Sequence, residues 1–301
     1  MNCPLCNNDK ITTLETIKKI DLIKLYKKLC GKDLSYLIPN DIDFCICHNC
    51  DLRFYYPLVT GDEYFYNSFQ KLSWYYLDVK DEYSYAKQFV SKKDRVLEIG
   101  SGKGAFAKYI PSNSYTGLDF SEKAKAMAKE NNITIENSTI QNYSTCHQGS
   151  YDVVVSFQVL EHVSDPNEFI ESMLFTLKKD GKLIIAVPSE NSFVQHVTNN
   201  TLNMPPHHVT RWSDDCLRNL ENIFDIKLIN ITHEKISKIH RSYFVTTLIQ
   251  NLILKPHLVD LSIKRKLLSK FSSIPGKLIA SRLKEEMLPN GHTVMAVYRK
   301  L

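Results

Sequence analysis

The sequence predicts an α/β fold built on a mostly parallel sheet with helices on both faces, and three observations carry the prediction. From residue 95 onward, apolar runs of strand length alternate with helix-patterned stretches. The first run, Val96-Leu97-Glu98-Ile99, turns at once into the glycine-rich Gly100-Ser101-Gly102-Lys103-Gly104. The second, Tyr115-Thr116-Gly117-Leu118-Asp119-Phe120, places an acid nineteen positions after Gly100. Strands that alternate with helices need crossover connections, and those make neighbouring strands parallel.

Taken in chain order, residues 1–53 form the first unit. Cys3-Pro4-Leu5-Cys6 and Cys47-His48-Asn49-Cys50 are two C-x-x-C pairs separated by forty residues, the spacing of a zinc ribbon. Four thiolates from Cys3, Cys6, Cys47 and Cys50 close a tetrahedral shell, so the zinc is expected to be structural and to staple a segment too small to fold on its own core. Each pair is followed by a residue that tolerates a left-handed backbone, Asn7 and Asp51. The alternative is four unligated thiols in a reducing compartment. Cys45 competes by count, but its one-residue gap to Cys47 suits a knuckle less well, and His48 reads as a surface residue. Between the pairs, Ile17 to Leu29 has apolar residues at helical spacing and predicts a short amphipathic helix.

Residues 54–93 read as an aromatic-rich helical lid. Residues 54–85 hold twelve of the thirty-two aromatic residues, among them Phe54, Tyr55, Tyr56, Tyr64, Phe65, Tyr66, Phe69, Trp74, Tyr75 and Tyr76. Such rings either shape a ligand pocket or glue the ribbon to the main domain. The core is assigned to residues 94–233 and 291–301, with strands near 95–100, 115–120, 133–137, 151–157, 182–188, 225–232 and 292–299. Residues 234–290 read as a helical insertion before the last strand. They carry eleven Lys/Arg against four Asp/Glu, a surplus of seven in a chain whose net charge is +5. A basic face attracts nucleic acid, anionic lipid or phosphorylated ligands, although a solvated helix face is its commonest meaning. Leu248–Leu254 and Leu267–Leu283 offer dimer or membrane-facing surfaces, with core packing as the default.

A hydrophobic fraction of 43% is ordinary for a globular protein, and no apolar run approaches the roughly 20 residues of a membrane span. The chain begins with a cysteine pair instead of an export signal, so a soluble cytoplasmic protein is expected.

The strand, glycine turn and following acid describe a cofactor cradle. Gly100, Gly102 and Gly104 let the backbone bend and approach a ligand, and the helix start after Gly104 favours a negative group. The spacing is G-x-G-x-G, not the G-x-G-x-x-G of dinucleotide enzymes, and Glu98 sits poorly beside a pyrophosphate. An acid there suits a cofactor that carries an ammonium and a sulfonium. On these residues, from about Asp94 to Thr232, the sequence resembles the class I S-adenosylmethionine (SAM) dependent methyltransferases. The resemblance extends through Tyr151–Val163 as fourth strand and following loop, and through Leu177–Pro188 as helix end, turn and fifth strand.

That resemblance implies a Rossmann-like seven-stranded sheet. It implies cofactor contacts from Glu98, Gly100, Gly102, Gly104 and Phe106, from Asp119 to the ribose hydroxyls beside Phe120, and from Phe157 and Gln158. It also implies an adenine contact near Thr139–Tyr143, where this chain has no acid and Gln141 or the backbone takes the role. By the same resemblance the segment before the first strand closes over the cofactor.

Methyl transfer is an in-line displacement, so the protein has to align donor and acceptor and remove a proton from a hydroxyl acceptor. Ligands sit at the carboxyl ends of the strands, which aims the loops after Phe157 and Pro188 at the acceptor. Glu161-His162 is one candidate; its bland reading is a helix-start acid and a packed histidine. The stronger one is Asn203-Met204-Pro205-Pro206-His207-His208-Val209-Thr210-Arg211-Trp212-Ser213. Two prolines stiffen it, Ser213 is expected to cap a helix begun by Asp214 and Asp215, and His207 or His208 is the candidate general base. A proline-histidine segment of this kind is similar to one in methyltransferases of sugar and surface-glycan pathways. The N-terminal ribbon ahead of such a core resembles sugar C-methyltransferases, although the second α/β domain of those enzymes is missing here. The expected acceptor is a sugar or nucleotide-sugar type small molecule, with O-transfer favoured over C-transfer. RNA or protein methylation, docked by the ribbon and the basic insertion, is the second reading, and a noncatalytic SAM-binding module the third.

Overall fold

A computed structural model describes residues 1–69, 80–112 and 114–301, with the backbone alone at 67–69 and at 239. Trp74, Tyr75 and Tyr76 of the expected lid lie outside the described residues. In chain order the elements are β1 (Ile11–Ile17), α1 (Lys19–Cys30), β2 (Ile42–Cys47), β3 (Arg53–Tyr56), α2 (Glu63–Phe69), α3 (Asp81–Ala86), β4 (Arg95–Ile99), β5 (Ser114–Leu118), α4 (Glu122–Lys129), β6 (Ile135–Glu136), α5 (Ile140–Ser144) and β7 (Tyr151–Phe157). They continue with α6 (Pro166–Thr176), β8 (Leu177–Pro188), β9 (Thr210–Arg211), α7 (Asp214–Asn219), β10 (Ile226–Lys235), α8 (Lys238–Ile253), α9 (Ile263–Ala280) and β11 (Asn290–Lys300).

The larger sheet has seven strands in the order β10-β11-β8-β7-β4-β5-β6. Strands β6, β5, β4, β7 and β8 are parallel, while β11 runs antiparallel to both β8 and β10. This is the Rossmann-like sheet that the alternation of apolar runs predicts, with an antiparallel strand inserted at one edge. The chain leaves β4 toward β5 and β6 on one side, then returns to β7 and β8 on the other. The strand order therefore reverses between β4 and β7, and ligands of open α/β sheets bind at such a switch point.

Both faces of the sheet are buried because its strands are apolar at successive positions. Leu97, Ile99, Val154, Leu183, Ile185, Val294 and Ala296 pack on one face, and Val96, Val153, Val155, Ile184, Ala186, Met295 and Val297 on the other. Alternate residues of a strand point to opposite faces, so the two sets interleave along the sequence.

The smaller sheet joins the ribbon to this core. Its order is β1-β2-β3-β9, all antiparallel, so its fourth strand is Thr210–Arg211 from the histidine loop. Its apolar side is continuous with the main core: Cys3, Leu5, Leu52 and Phe54 pack in one cluster with Trp212, Leu217 and Leu220. On its other side α1 buries Leu22, Leu25 and Tyr26, and the Tyr26 hydroxyl donates to the carbonyls of Thr201 and Met204 at 2.9 and 2.8 Å. Within the aromatic-rich stretch, Phe54 and Tyr55 are thus strand residues at the seam between ribbon and core.

A buried ion pair pins the seam. Arg211 donates to Glu190 Oε2 from Nε at 2.6 Å, its Nη1 reaches the Tyr55 hydroxyl at 3.4 Å, and its guanidinium lies 4.8 Å from the Phe44 ring centre. Glu190 in turn takes the carbonyl of Trp212 through its backbone N–H at 2.8 Å.

The insertion folds as α8 and α9 between β10 and β11. The default of core packing fails for much of α9: Leu267, Phe271, Ile274 and Leu278 are exposed, Phe271 and Ile274 by more than two-thirds. They recur every three to four residues and form one uncovered stripe beside Lys264, Lys266, Lys270 and Lys277. No helix among the described residues is long and apolar enough to cross a membrane.

Removing one member of a buried ion pair costs about 3–5 kcal/mol where the other charge is stranded, and Arg53 Nε, 3.7 Å from Glu190 Oε1, keeps the loss at Arg211 to the lower end. Arg211→Met is expected to lower unfolding stability by about 3 kcal/mol in urea titrations. Adding Glu190→Gln to that variant is expected to recover part of the loss, and an unaffected single variant would show that the pair does not hold the seam.

Candidate functional site

The turn after β4 is held open by positive backbone angles, with φ of 69°, 53° and 73° at Gly100, Gly102 and Gly104. A side chain at Gly100 would also collide with Val159, whose Cγ2 lies 2.3 Å from the position of an added Cβ. Glycine there allows the loop after β7, which begins with Gln158 at φ 57°, to close against the cradle. The two loops at the switch point are thus in direct contact.

Asp119 stands at the tip of β5 with both carboxylate oxygens held by backbone donors. Oδ2 accepts from Gly102 N–H at 2.7 Å and Oδ1 from Ser121 N–H at 2.8 Å. A carboxylate oxygen accepts more than one hydrogen bond, so this clamp fixes the group while leaving acceptor capacity on each oxygen. Glu98 is fully buried in β4 and accepts a short hydrogen bond from the Tyr115 hydroxyl. Burial pushes its carboxyl up to about 8, against the opposing effect of that bond. Tyr115, the residue that orients Glu98, reads in the sequence only as a strand residue; it sits partly buried in β5 beside β4.

Phe106 and Phe157 lie beneath the cradle, with ring centres 4.9 Å apart and Tyr83 against both. Phe120 stands exposed beside Asp119, and Gln141 is half-buried in the first turn of α5. Gln158 points away from the cradle floor, with its amide 3.4 Å from Thr293 Oγ1.

The histidine loop meets the loop after β7. His162, His207 and His208 form a triangle with ring centres 4.5–4.8 Å apart. Each Nδ1 has an oxygen beside it: the His207 carbonyl for His162 at 2.5 Å, the Leu202 carbonyl for His207 at 2.8 Å and Asn203 Oδ1 for His208 at 3.2 Å. An acceptor at Nδ1 requires the proton to be there, which puts the lone pair of each ring on Nε2. Burial lowers all three, His162 to about 4 and His207 to about 3, so the rings are neutral near pH 7.

Glu161 closes the cluster. Its Oε1 is 3.8 Å from His162 Nε2 and 3.9 Å from His208 Nε2, and its buried Oε2 has no hydrogen-bond partner among the described residues. Burial raises this carboxyl to about 8. The backbone reinforces the meeting of loops, since Val209 N–H donates to the Glu161 carbonyl at 2.8 Å and the Thr210 hydroxyl to that of Leu160 at 3.3 Å. Ser213 caps α7 as its position predicts, accepting from Cys216 N–H at 3.0 Å. The orienting groups Leu202 and Asn203 and the Glu190–Arg211 clamp had no sequence signal beyond proximity to the loop.

The ribbon cysteines form a second constellation. Sγ atoms of Cys3 and Cys50 are 3.5 Å apart and those of Cys6 and Cys47 3.6 Å, and all four lie within 4.8 Å of one another. Asn7 and Asp51 have the left-handed φ their places predict, 56° and 63°. Cys45 faces Thr13 instead, and His48 bonds Thr12 on the surface.

Comparison with known proteins bears on this geometry. The model of the methyltransferase domain family matches residues 73–233, more than half of the chain. This chain belongs to that family. Similar curated proteins include the ubiquinone biosynthesis O-methyltransferases of Actinobacillus pleuropneumoniae, 32% identical over 104 residues, and Haemophilus ducreyi, 34% identical over 104 residues. Each match covers 31% of this chain and 44% of the relative, so the chain aligns with less than half of those proteins' length. Among solved structures, a SAM dependent methyltransferase from Archaeoglobus fulgidus superimposes with a TM-score of 0.50 at 16% identity, over 79% of this chain and 100% of that one. That likeness shows the shared fold, which is the class I methyltransferase sheet.

Within this family member, the contact between Gly100 and Val159 couples the two loops of the switch point. A non-glycine residue in the left-handed region costs about 1–3 kcal/mol. Gly100→Ala is expected to lose at least about 1 kcal/mol of stability in denaturant titrations, because strain and the Val159 collision add. A variant as stable as the parent would mean the loops are not held against each other.

Proposed function

We propose that this chain is a SAM-dependent methyltransferase whose acceptor is a hydroxyl of a small polyhydroxylated molecule, sugar or nucleotide-sugar in type. The observation that supports it is the meeting, at one switch point, of a cradle with a clamped ribose-type acceptor, Asp119, and a cluster of neutral acceptor groups, His162, His207, His208 and Glu161. The O-methyltransferase names of the curated relatives favour oxygen as the methylated atom. The proline-histidine loop and the cysteine ribbon favour a sugar-type acceptor, through the resemblance of those segments.

The residues present fit the cofactor. Asp119 keeps acceptor capacity for two hydroxyls, and Glu98 is a buried acid that gains by ionising beside a cation. When bound there, SAM supplies a methyl group on a sulfonium. The Gly100–Gly104 backbone gives it close approach, Phe106 and Phe157 hold the cradle floor, and Phe120 stands beside Asp119, while Gln141 and Gln158 enter as contacts through the resemblance alone. His162, His207 or His208 accepts the acceptor's hydroxyl hydrogen through Nε2 and orients the oxygen for in-line attack.

The cysteine cluster fits zinc. Four thiolates about 2.3 Å from a tetrahedral ion lie about 3.8 Å from each other, close to the two separations observed. Its role is to hold the ribbon, and through β3 and β9 the histidine loop.

Three measurements test this reading. Asp119→Ala is expected to weaken S-adenosylhomocysteine binding tenfold or more in calorimetry, by loss of charge-assisted hydrogen bonds; unchanged affinity removes Asp119 from the ribose site. Glu98 is protonated below about 8 without ligand, and a ligand ammonium favours the carboxylate. Affinity is therefore expected to rise with pH toward about 8, by up to roughly tenfold per unit, and to flatten in Glu98→Gln. A flat profile in the parent protein excludes the contact. Elemental analysis is expected to find that Cys47→Ser loses about one equivalent of tightly held zinc per chain, and equal zinc in both proteins would remove the ribbon site.

A further inference from the structure

We infer that His162, His207, His208 and Glu161 form a second metal site, which takes a divalent first-row cation and is separate from the cysteine ribbon. One ring nitrogen of each histidine lies within 4.8 Å of the others. The Nδ1 atoms all face oxygen acceptors, so the coordinating nitrogens are the Nε2 atoms, and two of these flank Glu161 Oε1. A second hydrogen bond at the far ring nitrogen is the arrangement that fixes tautomer and orientation in metal-bound histidines. Here it comes from backbone carbonyls for two rings and an asparagine for the third.

The electrostatics ask for a cation. The Nε2 atoms of His162 and His208 lie 3.8 and 3.9 Å from Glu161 Oε1, and Glu161 Oε2 is buried with no partner among the described residues. Contacts of 3.8 and 3.9 Å are too long for hydrogen bonds, and a buried polar atom without a partner is costly. A metal ion held by the three Nε2 atoms and Glu161 Oε1 draws these groups together and leaves Oε2 facing its open side. An ion equidistant from three nitrogens no more than 4.8 Å apart sits at most about 2.8 Å from each, so an inward shift of at most about 0.7 Å per ring reaches the usual distance near 2.1 Å. Three imidazoles with one carboxylate suit zinc, iron or nickel better than magnesium or calcium. Unlike the four-thiolate ribbon, the set includes His162, whose partly exposed edge leaves room for an outside ligand.

Its use rests on the methyl-transfer reading. With the three Nε2 atoms and Glu161 Oε1 on the ion, Glu161 Oε2 takes over from the histidines as proton acceptor, and an acceptor hydroxyl bound to the ion would release its proton to Oε2. Its oxygen then forms the new bond to the methyl carbon as the carbon–sulfur bond breaks, with that electron pair staying on sulfur. The ion would lower the hydroxyl pKa, which neutral buried histidines alone do poorly.

The test is calorimetric titration of Zn2+ into protein purified with its ribbon zinc and dialysed against a mild chelator, with total zinc read by elemental analysis. The expected result is two equivalents in the parent protein. One is expected to remain in His208→Ala and in His162→Ala, and Glu161→Gln is expected to weaken the second at least tenfold. Retention of the ribbon equivalent shows that a variant is folded; should a histidine variant lose both, the near-isosteric Glu161→Gln decides. A single equivalent in the parent protein, or a second that survives all three substitutions unweakened, overturns the site. S-adenosylhomocysteine binding is measured in parallel: a second zinc without it keeps the metal site and removes the methyl-transfer reading, and the converse removes only the metal.

Discussion

The buried pair of Arg211 and Glu190 is the constraint on which the arrangement turns. Glu190 lies two residues beyond β8 and Arg211 is in β9, so their bond closes the base of the long loop between them. That loop contains His207 and His208. Because Arg211 also meets Tyr55 and Phe44, the same guanidinium joins the loop to the ribbon. A charge pair in such a place contributes little net stability over apolar replacements, but it tolerates few alternatives: Arg211 alone would be a buried uncompensated charge, and Glu190 would keep only Arg53, 3.7 Å away. It specifies where the histidine loop must lie.

The ribbon then acts at a distance. Its cysteines hold β2 and β3, β3 pairs with β9, and β9 follows His208 by two residues. A structural ion far from any reacting atom can in this way set the position of acceptor-side groups. The cradle is tied to the same assembly from the other side, because Gly100 touches Val159 and Glu161 and His162 follow in that loop.

Much of this was legible in the sequence where the signal is local. The strands show as apolar runs, the cradle as glycines after a strand, the cap as Ser213 before two acids, and the knuckles as cysteine pairs followed by Asn7 and Asp51. What needed the structure is contact between segments far apart in the chain. Nothing near His162 announces that its ring meets His207, forty-five residues on, nor that Leu202 and Asn203 fix the rings' tautomers. Burial was equally hidden: Phe106 and Phe157 read like ligand contacts but pack into the floor beneath the cradle. Apolar periodicity misled for α9, since a stripe at helical spacing says only that one face is greasy and not that anything covers it.

The two-residue strand β9 has a consequence for how the protein is made. β3 leaves the ribosome well before its partner, since β9 follows it by about 150 residues, so at typical synthesis rates the outer edge of β3 waits roughly 10–30 s for its neighbour. An open strand edge is a template for wrong pairing, and through that interval β3 has only β2 and the packing of α1 to hold it. The small sheet therefore closes only when the tail of the histidine loop arrives to seal a strand made long before it.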